Sequence, residues 1–147
     1  LIYRTTPGGG GDEAAHAASA FMIFGIGIDI AEIQRFISAY TQFGDRFPGR
    51  ILSTEEMLEF PHARNPGRYL AMRFAAKEAT SKALGTGFKH GVAPRQIRVV
   101  QAPSGKPGLE VTGTTAALFA DHGICSSHLS LSDEGGFAIA FVVLEKP

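Results

Sequence analysis

The stretch from Arg68 to Leu84, RYLAMRFAAKEATSKAL, constrains this chain more than any other. It is rich in Ala, Leu, Met, Lys and Glu and holds no interior Gly or Pro, so it predicts a long helix. Pro66-Gly67 marks a turn before it, and Gly85-Thr86-Gly87 stops it. A fold for this sequence must pack its shorter elements around that helix.

Those elements carry their own local signals. The run IFGIGIDI from Ile23 to Ile30 is short, apolar and β-branched, which predicts a buried strand. Gly25 and Gly27 within it imply that another backbone or a ligand comes close. Ile30, Ile33, Phe36, Ile37 and Tyr40 follow helical spacing, which predicts a helix starting just after Asp29. Ser53 and Glu56 form a capping box for a second helix reaching Phe60, and Pro61 ends it. Ile97 to Gln101 reads as a strand, Ser104 to Pro107 as a turn and Leu109 to Thr112 as the returning strand. A short helix from Thr114 to His122 is stopped by Gly123. His128 to Ser132 alternates like a strand, Asp133 to Gly136 turns, and Phe137 to Leu144 forms a final apolar strand. Helices mixed with antiparallel hairpins predict an α+β fold.

Composition excludes several classes. At 44% hydrophobic over 147 residues the chain can bury a sizeable core. Fourteen Lys+Arg balance fourteen Asp+Glu, which argues against a protein whose main task is coating nucleic acid. Cys125 is the one cysteine and cannot form an internal disulfide, so a stapled secreted scaffold is excluded. No uncharged apolar stretch reaches the ~18 residues of a spanning helix. The best leader candidate, Ala17 to Ile28, follows acidic Asp12 and Glu13 and shows no small-residue cleavage pattern. A soluble cytoplasmic domain is expected, with neither nucleic acid nor membrane as partner. Residues 1–21 carry no usable period and include four consecutive glycines, Gly8 to Gly11. They are expected to form a flexible tail, and 22–147 the folded domain.

Candidate chemistry lies at the end of the first strand and on the long helix. Asp29 has two readings, N-cap of the following helix or one carboxylate of a metal site. Glu78 is the natural second carboxylate. With Arg73, Lys77 and Lys82 it makes either an ordinary solvated helix face or an oxygen-ligand site for Mg²⁺ beside a set of cations. Those cations and the glycines at 85 and 87 suit a polyphosphate. Ser, His and Asp occur together around His128 to Asp133, but nothing resembles a nucleophile elbow. No Cys/His spacing suggests zinc, so His16, His62, His90 and His122 read as surface or packing residues.

The same residues resemble one family. Gly25-Ile26-Gly27-Ile28-Asp29-Ile30, with Arg35-Phe36 closing the run, is similar to the amino-terminal signature of holo-[acyl-carrier-protein] synthases, the small 4'-phosphopantetheinyl transferases. Arg73-Phe74-Ala75-Ala76-Lys77-Glu78-Ala79, Lys82-Ala83 and Gly85-Thr86-Gly87 match a second signature in order and spacing. Gly105-Lys106-Pro107 and His128-Leu129-Ser130 match a third and a fourth. The resemblance runs from Met22 to Glu145, and the chain departs from it at Ser132-Asp133, where many relatives carry Thr-His or Ser-His.

The resemblance implies a phosphopantetheinyl transferase-like α+β fold, with antiparallel strands packed on a long central helix. It implies Mg²⁺-dependent transfer of the 4'-phosphopantetheine arm of coenzyme A to a serine of apo acyl carrier protein, releasing adenosine 3',5'-bisphosphate. Asp29 and Glu78 fall on the Mg²⁺ ligands, and Glu78 and Lys82 on catalytic positions. Arg73, Lys77, Ser81, Lys82, Gly85, Thr86 and His128 fall around coenzyme A. Glu78 or a metal-bound water takes the proton of the attacking hydroxyl. Members form trimers with sites between subunits. Acyl carrier proteins are acidic, so Arg35, Arg46 and Arg50, with Phe47 as apolar anchor, are the expected docking residues. A binding module without transfer, and a Mg²⁺-dependent hydrolase of coenzyme A, are the competing readings.

Overall fold

The computed structural model describes residues 20–147 together with the backbone of Ile2–Arg4. Strand β1 (Ile2–Arg4) falls within the stretch read as a tail, and it pairs antiparallel with residues 110–112. The four consecutive glycines lie outside the described residues.

The elements then run β2 (Met22–Glu32), α1 (Ile33–Phe43), α2 (Pro48–Ile51), α3 (Thr54–Glu59) and α4 (Pro66–Leu84). After these come β3 (Ile97–Gln101), β4 (Pro107–Thr112), α5 (Gly113–Asp121), β5 (Ser126–Glu134) and β6 (Phe137–Lys146). Two antiparallel sheets result, ordered β1-β4-β3 and β2-β6-β5. Helix α4 packs on β2 and β6, against α1, and reaches β3. The fold is α+β, as the pattern of elements predicts.

Small residues let α4 approach the sheet. Ala75, Ala79 and Ala83 recur every four residues on one face of α4 and are buried. Opposite them β2 turns Gly25, Gly27, Asp29 and Ala31 inward, two residues apart. A Cβ on Gly27 would lie 1.8 Å from the carbonyl oxygen of Ala79, and one on Gly25 would lie 2.0 Å from that of Ala83. The close approach read from the sequence is therefore that of another backbone.

Two local expectations are corrected. The helix after Asp29 starts at Ile33, not before, and Asp29 is not its N-cap. The reason is the ladder: Asp29 to Glu32 pair with Ala140 to Phe137, so strand bonds outcompete the helical period that opens at Ile30. Pro66-Gly67 forms the first turn of α4 rather than a turn before it; Pro66 sits where a helix needs no N–H, and Asn65 caps Arg68 N. The Ser53–Glu56 capping box is present in both halves, at 3.2 and 2.9 Å.

On the outer face of the β2-β6-β5 sheet, β2 and β6 expose apolar side chains, while β5 presents His128, Ser130 and Ser132. Ile26, Ile28 and Ile30 are 60%, 60% and 62% exposed. Phe141 and Ile139 stand opposite Ile28 and Ile30 on the same face. Among the described residues no helix is long and apolar enough to cross a membrane.

Candidate active site

Asp29 sits on the inward side of β2, between exposed Ile28 and Ile30, and so faces α4. Lys82 reaches it from the last turn of α4. Its Nζ donates to Asp29 Oδ1 at 2.9 Å and to the Ile28 carbonyl at 2.9 Å. The Asp29 side chain is 14% exposed and that of Lys82 50%, so one end of the pair stays wet. Glu78 lies one turn earlier on the same helix face. Burial pushes its carboxyl above the usual range; the Asp29 charge adds to this, and Lys82 partly offsets it. Two carboxylates held against mutual repulsion, with hard oxygen donors only, fit a divalent cation such as Mg²⁺ whose remaining positions go to water and phosphate. Asp29, Glu78, Lys82, Arg35, Phe47 and Phe74 line one cleft of about 450 Å³.

A second cavity of about 550 Å³ opens beside the β3–β4 hairpin, lined by Arg73, Arg98, Lys106, Gly108, Glu59 and His128. The Arg73 guanidinium lies 3.9 Å from the centroid of the Tyr69 ring and 3.9 Å from Glu59 Oε2. Arg98 bridges Glu59 at 3.1 Å and Glu110 at 3.3 Å. The Nε atoms of Arg73 and Arg98 are buried without a partner. His128 Nε2 lies 2.8 Å from Glu145 Oε2. A cavity with three basic side chains and a histidine is suited to phosphate.

A profile described as the 4'-phosphopantetheinyl transferase superfamily matches residues 25–142. The holo-[acyl-carrier-protein] synthase of Vibrio vulnificus strain YJ016 is 49% identical over 123 residues, covering 84% of this chain and 98% of that protein. The crystal structure of the holo-[acyl-carrier-protein] synthase from Neisseria meningitidis superposes with a TM-score of 0.81 at 46% identity, over 85% of this chain and all of that one. The chain belongs to the 4'-phosphopantetheinyl transferase superfamily. A further relative, the Bacillus anthracis synthase in complex with CoA (3',5'-ADP), is 38% identical with a TM-score of 0.72, over 86% of this chain and 99% of that one.

Within this transferase, the fold brings Asp29, Glu78, Lys82, Arg35 and Phe47 to one cleft and Arg73 and His128 to the other cavity. Arg46 and Arg50 are exposed on the segment after α1 but do not line the cleft. Gly85 ends α4 in the left-handed conformation, φ 78°, and the Thr86 hydroxyl donates to the Gly87 carbonyl. Ser81 is buried, its hydroxyl donating to the Glu78 carbonyl at 2.8 Å. Lys77, expected around coenzyme A, lines neither cavity. Its side chain is 0% exposed and paired with Glu56 at 2.7 Å. Burial pulls its ammonium below the usual lysine range, and Glu56 draws it part of the way back. Asp133, where the chain departs from its relatives, is held by the guanidinium of Arg68 at 2.8 and 2.6 Å.

Arg98 and Glu59 carried no sequence signal. They join the cavity only because β3 and the end of α3 are folded beside Arg73. Lys106 was visible in the Gly105-Lys106-Pro107 motif without a role attached, and the hairpin turn brings it to the cavity rim.

Proposed function

We propose that this chain is a holo-[acyl-carrier-protein] synthase that moves the 4'-phosphopantetheine arm of coenzyme A onto a serine of apo acyl carrier protein, with Mg²⁺ as cofactor and adenosine 3',5'-bisphosphate as the second product. The observation that carries this reading is the joint placement of Asp29, Glu78 and Lys82 in one cleft. The serine oxygen forms a bond to the pantetheine-side phosphorus as the bond to the bridging oxygen breaks, and the nucleotide leaves with that oxygen. Asp29 and Glu78 would hold Mg²⁺, which when bound supplies charge stabilisation for the pyrophosphate oxygens. Lys82 meets the charge that builds on the phosphoryl oxygens. Glu78, its carboxyl shifted upward, is suited to take the proton of the attacking hydroxyl. Arg73, Lys106 and His128 would hold the nucleotide phosphates.

The complete site would lie between subunits. Asp29 faces inward from β2, whereas His128 is exposed on the opposite face of the same sheet, at the far strand of the β2-β6-β5 order. With the two on opposite faces of one sheet, a neighbouring copy would supply the other half of the cofactor site. The open apolar face of Ile26, Ile28, Ile30, Ile139 and Phe141 is a surface such a neighbour would cover. A head-to-tail contact that closes gives a ring, and a trimer is the reading. Arg35, Arg46 and Arg50, beside Phe47, would take the acidic carrier protein, and the enzyme would act in the cytoplasm with its substrates.

Release of adenosine 3',5'-bisphosphate, measured with and without apo carrier protein, tests the reading. Release that requires the carrier and matches its mass gain supports it. Release without carrier identifies a hydrolase, and coenzyme A binding without release identifies a binding module.

A further inference from the structure

We propose that Lys77 and Glu56 are a positioning pair which locks the rotation of α4, aiming Glu78 at Asp29 and tying β3 to the cavity that Arg73 lines. The inference rests on the proposed function for what Glu78 does, but the pair itself is defined by geometry.

Every polar group in the pair is used. The three donors of Lys77 Nζ go to Glu56 Oε2 at 2.7 Å, to the Pro94 carbonyl at 3.1 Å and to the Ile97 carbonyl. Glu56 Oε2 also accepts from Ser53 N at 2.9 Å, and its Oε1 accepts from Val99 N at 2.9 Å. Both side chains are 0% exposed. One carboxylate thus closes the start of α3, grips α4 and holds β3.

Burial of two charges is a costly way to fill a core, since apolar residues of the same volume do so at least as well. What the pair adds is direction. Toward β2 the surface of α4 is alanine, at Ala75, Ala79 and Ala83, while Leu70, Met72 and Leu84 are buried elsewhere along the helix. Alanines on that face interlock little, so a long buried group such as Lys77 adds to what fixes the rotation of the helix about its axis. A turn of about 20° moves a carboxylate at the helix surface by roughly 2 Å. Lys77 adjoins Glu78 in sequence, and successive helical residues point about 100° apart, so pinning Lys77 toward Glu56 sends Glu78 toward β2. Val99, held by the same carboxylate, lines the second cavity.

The test uses Lys77→Met, Glu56→Gln and the double variant in the full chain. Calorimetry reads Mg²⁺ affinity, coenzyme A and 3'-dephospho-coenzyme A binding are compared, and hydrogen exchange is followed at the Val99 amide. Positioning predicts that each single variant weakens Mg²⁺ roughly tenfold, as loss of a supporting partner of a metal ligand does. It also predicts faster Val99 exchange, an unchanged ratio between the two cofactors, and a double variant no worse than either single. Where a single variant does not fold, the double, which leaves no unpaired charge, carries the comparison with wild type. Loss of coenzyme A alone in Lys77→Met, with Glu56→Gln unaffected, would make Lys77 a phosphate ligand and overturn the proposal. Lowered melting temperature with unchanged Mg²⁺ affinity and unchanged Val99 exchange would overturn it as well. A wild-type protein that binds Mg²⁺ but transfers nothing would count against the proposed function alone.

Discussion

Replacing Gly27 with alanine tests how tightly β2 is docked on the helix that carries the site. The added Cβ would stand 1.8 Å from Ala79 O, 2.8 Å from Ala79 C and 2.8 Å from Ala83 N. All three are backbone atoms of α4, so no side chain can swing aside. The strand must retreat by more than ~1 Å before that carbon reaches an ordinary separation. Overpacking typically costs ~1–3 kcal/mol, and a rigid backbone neighbour puts this site at or above ~3 kcal/mol. For a domain of this size that is a fall of roughly 10 °C in melting temperature. Asp29 lies two residues along the same inward face, 2.9 Å from Lys82, so the retreat also opens the cleft. Displacement by ~1 Å at a reacting centre can cost ~100-fold, and kcat should drop on that scale. Thermal melting and carrier-dependent transfer are the assays, with Gly49→Ala as control because a Cβ there meets nothing within 4 Å. A Gly27→Ala protein that melts with wild type and keeps its kcat would refute the reasoning.

Glu78→Gln should stabilise the protein at neutral pH without Mg²⁺. The folded carboxyl titrates above its ordinary value of 4.5, so the ionised form costs stability at neutral pH, and that cost disappears as pH falls through the raised value toward 4.5. Melting curves across this range should therefore converge at acid pH, and added Mg²⁺ should favour wild type; a variant no more stable than wild type at pH 7 would remove the repulsion argument. Arg35→Glu should raise the Michaelis constant for carrier protein several-fold and leave that for coenzyme A unchanged, with the wild-type constant climbing as salt shortens the Debye length. Equal effects on both substrates would move Arg35 out of the carrier surface. Deleting residues 1–21 removes β1, which among the described residues is an edge strand paired with β4, and should leave transfer intact with a melting change of a few degrees at most. A larger loss would show that this segment is part of the folded domain.

Features set by neighbours along the chain were legible in the sequence. Alanines and straight-chain residues without Gly or Pro announced α4, the Ser53–Glu56 spacing announced the start of α3, and β3 runs from Ile97 to Gln101 as read. Gly25 and Gly27 announced a close approach, though not that the partner is α4. Order and spacing of the motifs also placed Asp29, Glu78 and Lys82 together. Tertiary structure decided what depends on distant partners. The helical period at Ile30 yielded to the β2–β6 ladder, because residues 137–140 supply strand bonds that no local rule reveals. Lys77 and Lys82 are both lysines on one helix, five residues apart, yet one is fully buried and the other half exposed. Helical spacing fixes only the angle between them. Which of the two meets solvent was settled by where Glu56 and the β3 carbonyls lie, since an ammonium can leave water only when acceptors are waiting for all its donors.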